Sequence, residues 1–378
     1  MRLARRVLFA VLFGLVAPIL PVQVFAGGGG GPAGAGSLAV SVDHAGPAGH
    51  NWGYLDYFSR TVTVHPGQVI TWNFAHSSEP HTVTFLPAGT PVTNAAYGKL
   101  FPTANFVPDV DDGPKAPPAA NFNVDQQTGC GNSPYYRGTG PCSFTGAAPV
   151  NSGVENLLPG QGPQTYSVRI NAAPGVYHYI CLVHGPVMSG TVRVVAPGTA
   201  VDSQASVNRR AAAQYHAATT HALAYESHLA AGQKTAGGHT IWTVRTGAGY
   251  GRVAINEFIP RNLHTKPGDT VVWTPGFHTV TFPNESGVAP FSISCEAPGQ
   301  DIPFRGSLAT CPGAELGPNP KGFFPSGKPG QAYTGGFYNS GNLVIPQPHT
   351  WSASFPKSGT FTYECLIHPG MDAVITTG

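Results

Sequence analysis

Apolar and polar residues alternate in short runs along most of this chain, and Gly and Pro punctuate nearly every run. After Pro66-Gly67, the stretch Val69-Ile70-Thr71-Trp72 is β-branched and aromatic; Thr82-Val83-Thr84-Phe85 alternates polar with apolar; Val176 to Ile180 is aromatic-rich and follows Gly175. Period-two patterns bounded by turn residues predict strands. One segment breaks this rhythm. From Asp202 to Ala231 the chain is rich in alanine and lacks both Gly and Pro, and Val207, Ala211, Ala218, Ala222, Tyr225 and Leu229 recur at spacings that put them on one helical stripe. A single helix of about seven turns is expected there, capped by Asp202 or Ser203 and stopped at Gly232. Its His216, His221 and His228 are five and seven residues apart. Helical metal pairs need spacings of about three or four, so these are read as exposed polar residues.

The strand-rich regions on either side of this helix repeat each other. Pro66-Gly67-Gln68-Val69-Ile70-Thr71-Trp72 matches Pro267-Gly268-Asp269-Thr270-Val271-Val272-Trp273 without a gap. His-Thr-Val-Thr-Phe stands at 81–85 and again at 278–282, and Asn-Ser-Gly at 151–153 and 339–341. Gly175 to His184 aligns with Gly359 to His368. Four blocks in one order indicate duplication of a single domain. Differences fall between blocks: eight residues separate Trp72 from His81, but only four separate Trp273 from His278. Short strands in each half suggest a Greek-key sandwich. The expected organisation is a signal peptide at 1–26, a first β-domain at 37–198, a helical linker at 203–232 and a second β-domain at 239–378.

Composition adds a compartment and removes some function classes. Arg2, Arg5 and Arg6 precede the apolar stretch Val7 to Val16, and Val24-Phe25-Ala26 offers a cleavage site, the pattern of a secretory leader. Export is therefore expected, with no transmembrane span once the leader is cut. A net charge of +2 is too small to imply nucleic acid as a partner. The 49 Gly and 37 Pro accompany recurring Val, Ile, Phe, Tyr and Trp, which favours an all-β fold over disorder. In an exported chain, Cys130 with Cys142 and Cys295 with Cys311 read as two local disulfides, each closing a short loop worth about 3 kcal/mol.

The other two cysteines lie in a different setting. Cys181 begins Cys-Leu-Val-His-Gly-Pro-Val-Met, and Cys365 begins Cys-Leu-Ile-His-Pro-Gly-Met. A histidine on an upstream strand, then cysteine, histidine and methionine in one turn, supplies a thiolate, two imidazoles and a thioether, a set that suits copper in both oxidation states. With these motifs the halves resemble cupredoxins, the family of plastocyanin, amicyanin and pseudoazurin, and the second half resembles amicyanin in loop length. That resemblance implies an all-β chain of two Greek-key cupredoxin β-sandwich domains joined by a linker helix. It implies one type 1 copper per domain, held by His81, Cys181, His184 and Met188 in the first and by His278, Cys365, His368 and Met371 in the second. Three residues rather than two separate His184 from Met188, and His76 rivals His81 but lacks the Thr-Val-Thr-Phe that follows it. Thr82 and Thr279 are placed to donate to the thiolate sulfur from backbone or hydroxyl. The resemblance also makes His184 and His368 the electron ports.

An electron carrier serving redox protein partners is thus expected rather than an enzyme. Two-domain copper oxidases and nitrite reductases need a further copper where substrate binds, with His-x-His pairs in the oxidases and a histidine beside the blue-copper cysteine. No His-x-His occurs here, and Cys181 and Cys365 are flanked by Ile180 and Leu182 and by Glu364 and Leu366. A copper-delivery protein without redox turnover is the competing reading, but the chain has three Met in all, too few for a methionine-rich carrier.

Overall fold

The computed structural model describes residues 37–77, 79–100, 106–107, 119–121, 141–153, 155, 165–289, 291–294, 301–303, 315–344 and 347–378. The expected leader at 1–26, Cys130, Cys295 and Cys311 lie outside these residues; Cys142 lies within them, buried at the start of the strand Cys142–Phe144. Among the described residues the fold is all-β apart from one long helix and two short ones.

Each half stacks two sheets with the same strand pattern. In the N-terminal half, Ser37–Val42 runs parallel to Val69–Asn73, which pairs antiparallel with Thr165–Ile170, itself parallel to Cys142–Phe144. In the C-terminal half, His239–Tyr250 runs parallel to Thr270–Trp273, which pairs antiparallel with Trp351–Ser354, itself parallel to Gln331–Ala332. The facing sheets agree as well. The hairpin Gly175–Cys181 and Gly185–Val194 takes Thr61–Val64 as a parallel neighbour; Gly359–Glu364 and Asp372–Thr377 take Asn262–Thr265.

The repeated sequence blocks explain why both halves fold alike. Gly67 and Gly268 adopt positive φ, +88° and +92°, in the turn that launches the Trp72 and Trp273 strands, a conformation costly for any residue with a Cβ. Gln68 and Asp269 close that turn equivalently, accepting from the backbone N–H groups of His65 (2.6 Å) and Lys266 (2.9 Å). Between the sheets, Trp72, Phe85 and Tyr179 meet with ring centroids 5.1–5.4 Å apart. Trp273, Phe282 and Tyr363 do the same at 5.0–5.9 Å. All six are buried, and packed aromatic trios of this kind anchor a sandwich core. Phe85, Tyr179, Phe282 and Tyr363 lie on the strands that carry or adjoin the histidines and cysteines.

The long helix spans Gln204–Glu226, shorter than the sequence pattern suggests. Ser203, not Asp202, caps it, accepting from the Ser206 N–H, while Asp202 accepts from the Thr63 N–H and from Arg210. After Glu226 the chain turns, and Gly232–Ala236 pairs with His239–Thr243 as an exposed hairpin that the alanine-rich pattern did not announce. Val207, Ala211 and Ala222 are buried, with Ala218, Tyr225 and Leu229 packed on the same side. Val207 joins the N-terminal core; the others meet Trp52, Tyr54, Phe58, Ala248, Val253 and Ile255, residues from both halves. His216, His221 and His228 are exposed.

The halves are also joined by a ladder. Trp52–Tyr54 pairs antiparallel with Val253–Ile259, so a strand of the first half extends a sheet of the second. Arg252 adds an ion pair to Asp56 (3.2 Å) and donates to the Ser189 carbonyl (3.1 Å). His50 Nδ1 stands between Glu226 of the helix (3.1 Å) and Glu257 of the second half (3.3 Å), a polar junction of three segments. Among the described residues no helix is long and apolar enough to cross a membrane.

Candidate metal centres

His81 and Cys181 come from neighbouring strands of one sheet. His81 lies at a bridge to Glu155 just before Thr84–Phe85, and Cys181 ends Gly175–Cys181, which pairs with Thr84–Phe85. The turn after Cys181 brings His184 back towards both. Three donor atoms face one another: His81 Nδ1 and His184 Nδ1 are 3.1 Å apart, and Cys181 Sγ is 3.8 Å from the first and 3.5 Å from the second. In the second half, His278 Nδ1 and His368 Nδ1 are 2.9 Å apart, with Cys365 Sγ at 3.6 Å and 3.8 Å. Met188 and Met371 are fully buried, each in the core cluster that holds its cysteine. His76 is exposed and stacks on His44 instead.

The local scaffold around each trio shares a set of hydrogen bonds. The backbone N–H groups of Thr82 and Thr279 donate to Cys181 Sγ (3.3 Å) and Cys365 Sγ (3.4 Å). Their hydroxyls do something else: they accept from the backbone N–H of Leu182 (2.7 Å) and Leu366 (2.8 Å), tying the cysteine strand to the histidine strand. The Asn-Ser-Gly repeats form a latch on the outer side. Ser152 Oγ accepts from Val83 N–H and Ser340 Oγ from Val280 N–H, both at 2.8 Å; Asn151 and Asn339 accept from Thr84 and Thr281 hydroxyls. Sequence reasoning noticed this tripeptide only as a repeat. Its recurrence beside the ligand strand was the signal for a shared structural role.

The electrostatics favour a thiolate. Burial opposes ionisation of Cys181, but the charges and hydrogen bonds of His184 and His81 outweigh it and bring the thiol down to about 5. Burial likewise opposes ionisation of Cys365, and the hydrogen bonds and charges of His278 and His368 hold it well below the usual thiol range.

Beyond the three donors, the two centres differ. In the first, His81 Nε2 faces Asp43 Oδ2 at 3.3 Å, and His184 Nε2 faces Glu79 Oε2 at 3.2 Å. A carboxylate only accepts, so each Nε2 is a donor, and a ring that loses its second proton keeps the one on Nε2 and frees Nδ1 to bind a metal. Asp43 is fixed by the N–H groups of His44 (2.6 Å) and Tyr54 (2.5 Å), and Glu79 accepts from Asn256 Nδ2 at 2.6 Å. Burial alone would raise the Glu79 carboxyl; the hydrogen bond and charge of His184, with help from His368 and His81, hold it well below the usual carboxylate range. Neither acid was singled out from sequence. Glu79 lies in the longer Trp72-to-His81 segment, so the repeat has no counterpart for it. His184 is only 8% exposed, with Glu79 at its Nε2, whereas His368 is half-buried.

The donor spacings fit a small soft-site metal. Nitrogen and sulfur donors at about 2.0 and 2.3 Å from one ion stand roughly 3.3–3.7 Å apart, close to the separations in both trios. Two imidazoles, one thiolate and a neighbouring thioether match the preference of copper.

No family model matches the chain, and no curated protein matches it. Solved structures do. Reduced auracyanin from Roseiflexus castenholzii is 16% identical and covers 43% of this chain and 98% of its own, with a TM-score of 0.23. A reduced Cu(I) amicyanin mutant is 20% identical and covers 38% and 87%, with a TM-score of 0.17. A purple cupredoxin from Nitrosopumilus maritimus is 14% identical and covers 36% and 98%, also at 0.17. Each neighbour thus spans about two fifths of the chain.

Proposed function

We propose that this chain is an exported, two-domain cupredoxin that carries single electrons, with one type 1 copper site in each domain. His81, Cys181 and His184, with Met188 as axial ligand, would hold one copper; His278, Cys365 and His368, with Met371, would hold the other. The observation that carries this reading is the twin convergence of two imidazole Nδ1 atoms and a backbone-hydrogen-bonded thiolate on buried, duplicated scaffolds. Copper bound there supplies a one-electron Cu(I)/Cu(II) couple. The chain supplies the rest. It holds the donors in place through the threonine and Asn-Ser-Gly contacts, which limits reorganisation between states, and the aromatic core excludes water from the sulfur.

On this reading the domains are 37–198 and 239–378, linked by 203–232, with a leader at 1–26 and disulfides Cys130–Cys142 and Cys295–Cys311. The partners are redox proteins, and the chain itself is not an enzyme. Replacing Cys181→Ser and Cys365→Ser separately tests the ligand assignment. Each variant should lose one copper and one thiolate-to-copper absorption band while keeping the other. Two variants that retain the full copper content and an unchanged visible spectrum would refute it.

A further inference from the structure

The environment of His184 connects the first centre to the second through the seam between the halves. Glu79 receives His184 Nε2 on one carboxylate oxygen at 3.2 Å and Asn256 Nδ2 on the other at 2.6 Å. The Asn256 carbonyl accepts from Asn51 Nδ2 at 3.2 Å, and the same Asn51 amide donates its other hydrogen to the Pro369 carbonyl, also at 3.2 Å. Pro369 is bonded to His368. The path therefore runs from a histidine of one centre to a histidine of the other through the Glu79 carboxylate, the side chain and backbone of Asn256, the Asn51 amide and the Pro369 backbone.

Asn256 and Asn51 are positioned by the inter-half ladder. Asn256 follows directly on the residues that pair with Trp52–Tyr54, and its N–H donates to the Asn51 carbonyl at 2.9 Å. The Asn51 N–H in turn donates to Glu257 Oε1 at 2.8 Å. Gly53 matters for its lack of a side chain: a Cβ there would collide with the Glu79 carboxylate. An asymmetry in access gives the path a direction. His184 is buried behind Glu79, whereas His368 is half-buried beside the exposed Pro369-Gly370.

We propose that Glu79, Asn256 and Asn51 form a coupling bridge that makes the two centres one redox unit, with electrons entering at His368 and reaching the first centre through the bridge. This rests on the copper reading above. With copper held at both trios, the bridge would carry a single electron from the His278–Cys365–His368 centre to the His81–Cys181–His184 centre. No bond is made or broken, and no proton leaves the chain. The bridge residues position the path and touch neither metal-facing nitrogen.

The test uses the full, copper-loaded chain, oxidised and mixed with a reduced haem protein at less than one electron per chain. Freeze-quenched paramagnetic-resonance spectra, referenced to Cys181→Ser and Cys365→Ser, report which centre holds the electron over time. In the unaltered chain the first centre should be reduced in a phase whose rate does not depend on protein concentration. Asn51→Ala and Gly53→Ala should slow that phase several-fold while both visible bands persist, and Cys365→Ser should abolish it. In copper-free protein, Asn256→Ala should shift the His184 ring nitrogen resonances. Equal reduction rates of the first centre in the unaltered chain, Asn51→Ala and Cys365→Ser would overturn the bridge. A loaded chain lacking thiolate–copper bands would instead overturn the copper reading on which it rests.

Discussion

Thr82 and Thr279 show how one side chain and its own backbone divide two tasks. The N–H reaches the cysteine sulfur, and the hydroxyl accepts from the residue after that cysteine, so neither replaces the other. Thr82→Val keeps the shape and the sulfur contact but strands the buried Leu182 N–H. The expected loss is about 1–3 kcal/mol, with little change in the spectrum of the first centre. Urea midpoints measured beside the visible band check this, and a spectrum lost at unchanged stability would contradict it. The residues that converge in each trio could be read from sequence because they recur in order at matched spacings. Asp43 and Glu79 could not. Both sit outside the repeated blocks, and an isolated acidic residue between Gly- and Pro-rich turns carries no local mark of the imidazole it will meet in space.

At the scale of elements, the linker helix is a clamp. Gln204 exchanges hydrogen bonds with the Ala39 backbone at its start, Gln214 donates to the Tyr57 carbonyl, and Thr219 meets the Tyr54 hydroxyl. Its first turn is held by Asp202. Burial works against that carboxylate, but hydrogen bonds from Arg210, the Thr63 N–H and Ser206 keep it below the ordinary aspartate value. A lowered folded value means the contribution is complete above the unfolded value and disappears as pH falls through the folded one. Asp202→Asn should therefore be less stable than the unaltered chain at neutral pH, and the gap should close below about pH 4. Thermal melts of both proteins at pH 7 and pH 3 decide; a gap that widens in acid would be the wrong sign. The helix itself was legible from its alanine-rich stripe. Its end was not, because residues 232–236 are polar and exposed and become a strand only by pairing with the following segment. The long-range strand pairs have the same physical origin: periodicity marks a strand, but its partner is chosen by the other half of the chain.

On the scale of the whole molecule, the two halves share a strand pattern and a donor trio but differ around those trios. The extra residues before His81 bring Glu79 to His184, the Trp52–Tyr54 strand crosses to the other half, and the first centre is enclosed where the second is left more accessible. Repeated motifs made the two-fold plan readable, while the seam, built from unrepeated residues such as Asn51, Gly53 and Asn256, left no trace in the pattern. All of this depends on what the two donor trios bind. The most direct measurement is a copper titration of the metal-free chain, following copper per chain together with visible absorption and paramagnetic resonance. Saturation is expected at two coppers, one for each trio, with an intense thiolate-to-Cu(II) band growing through both equivalents. Saturation with colourless copper, or binding that persists when both Cys181 and Cys365 are replaced by serine, would contradict it.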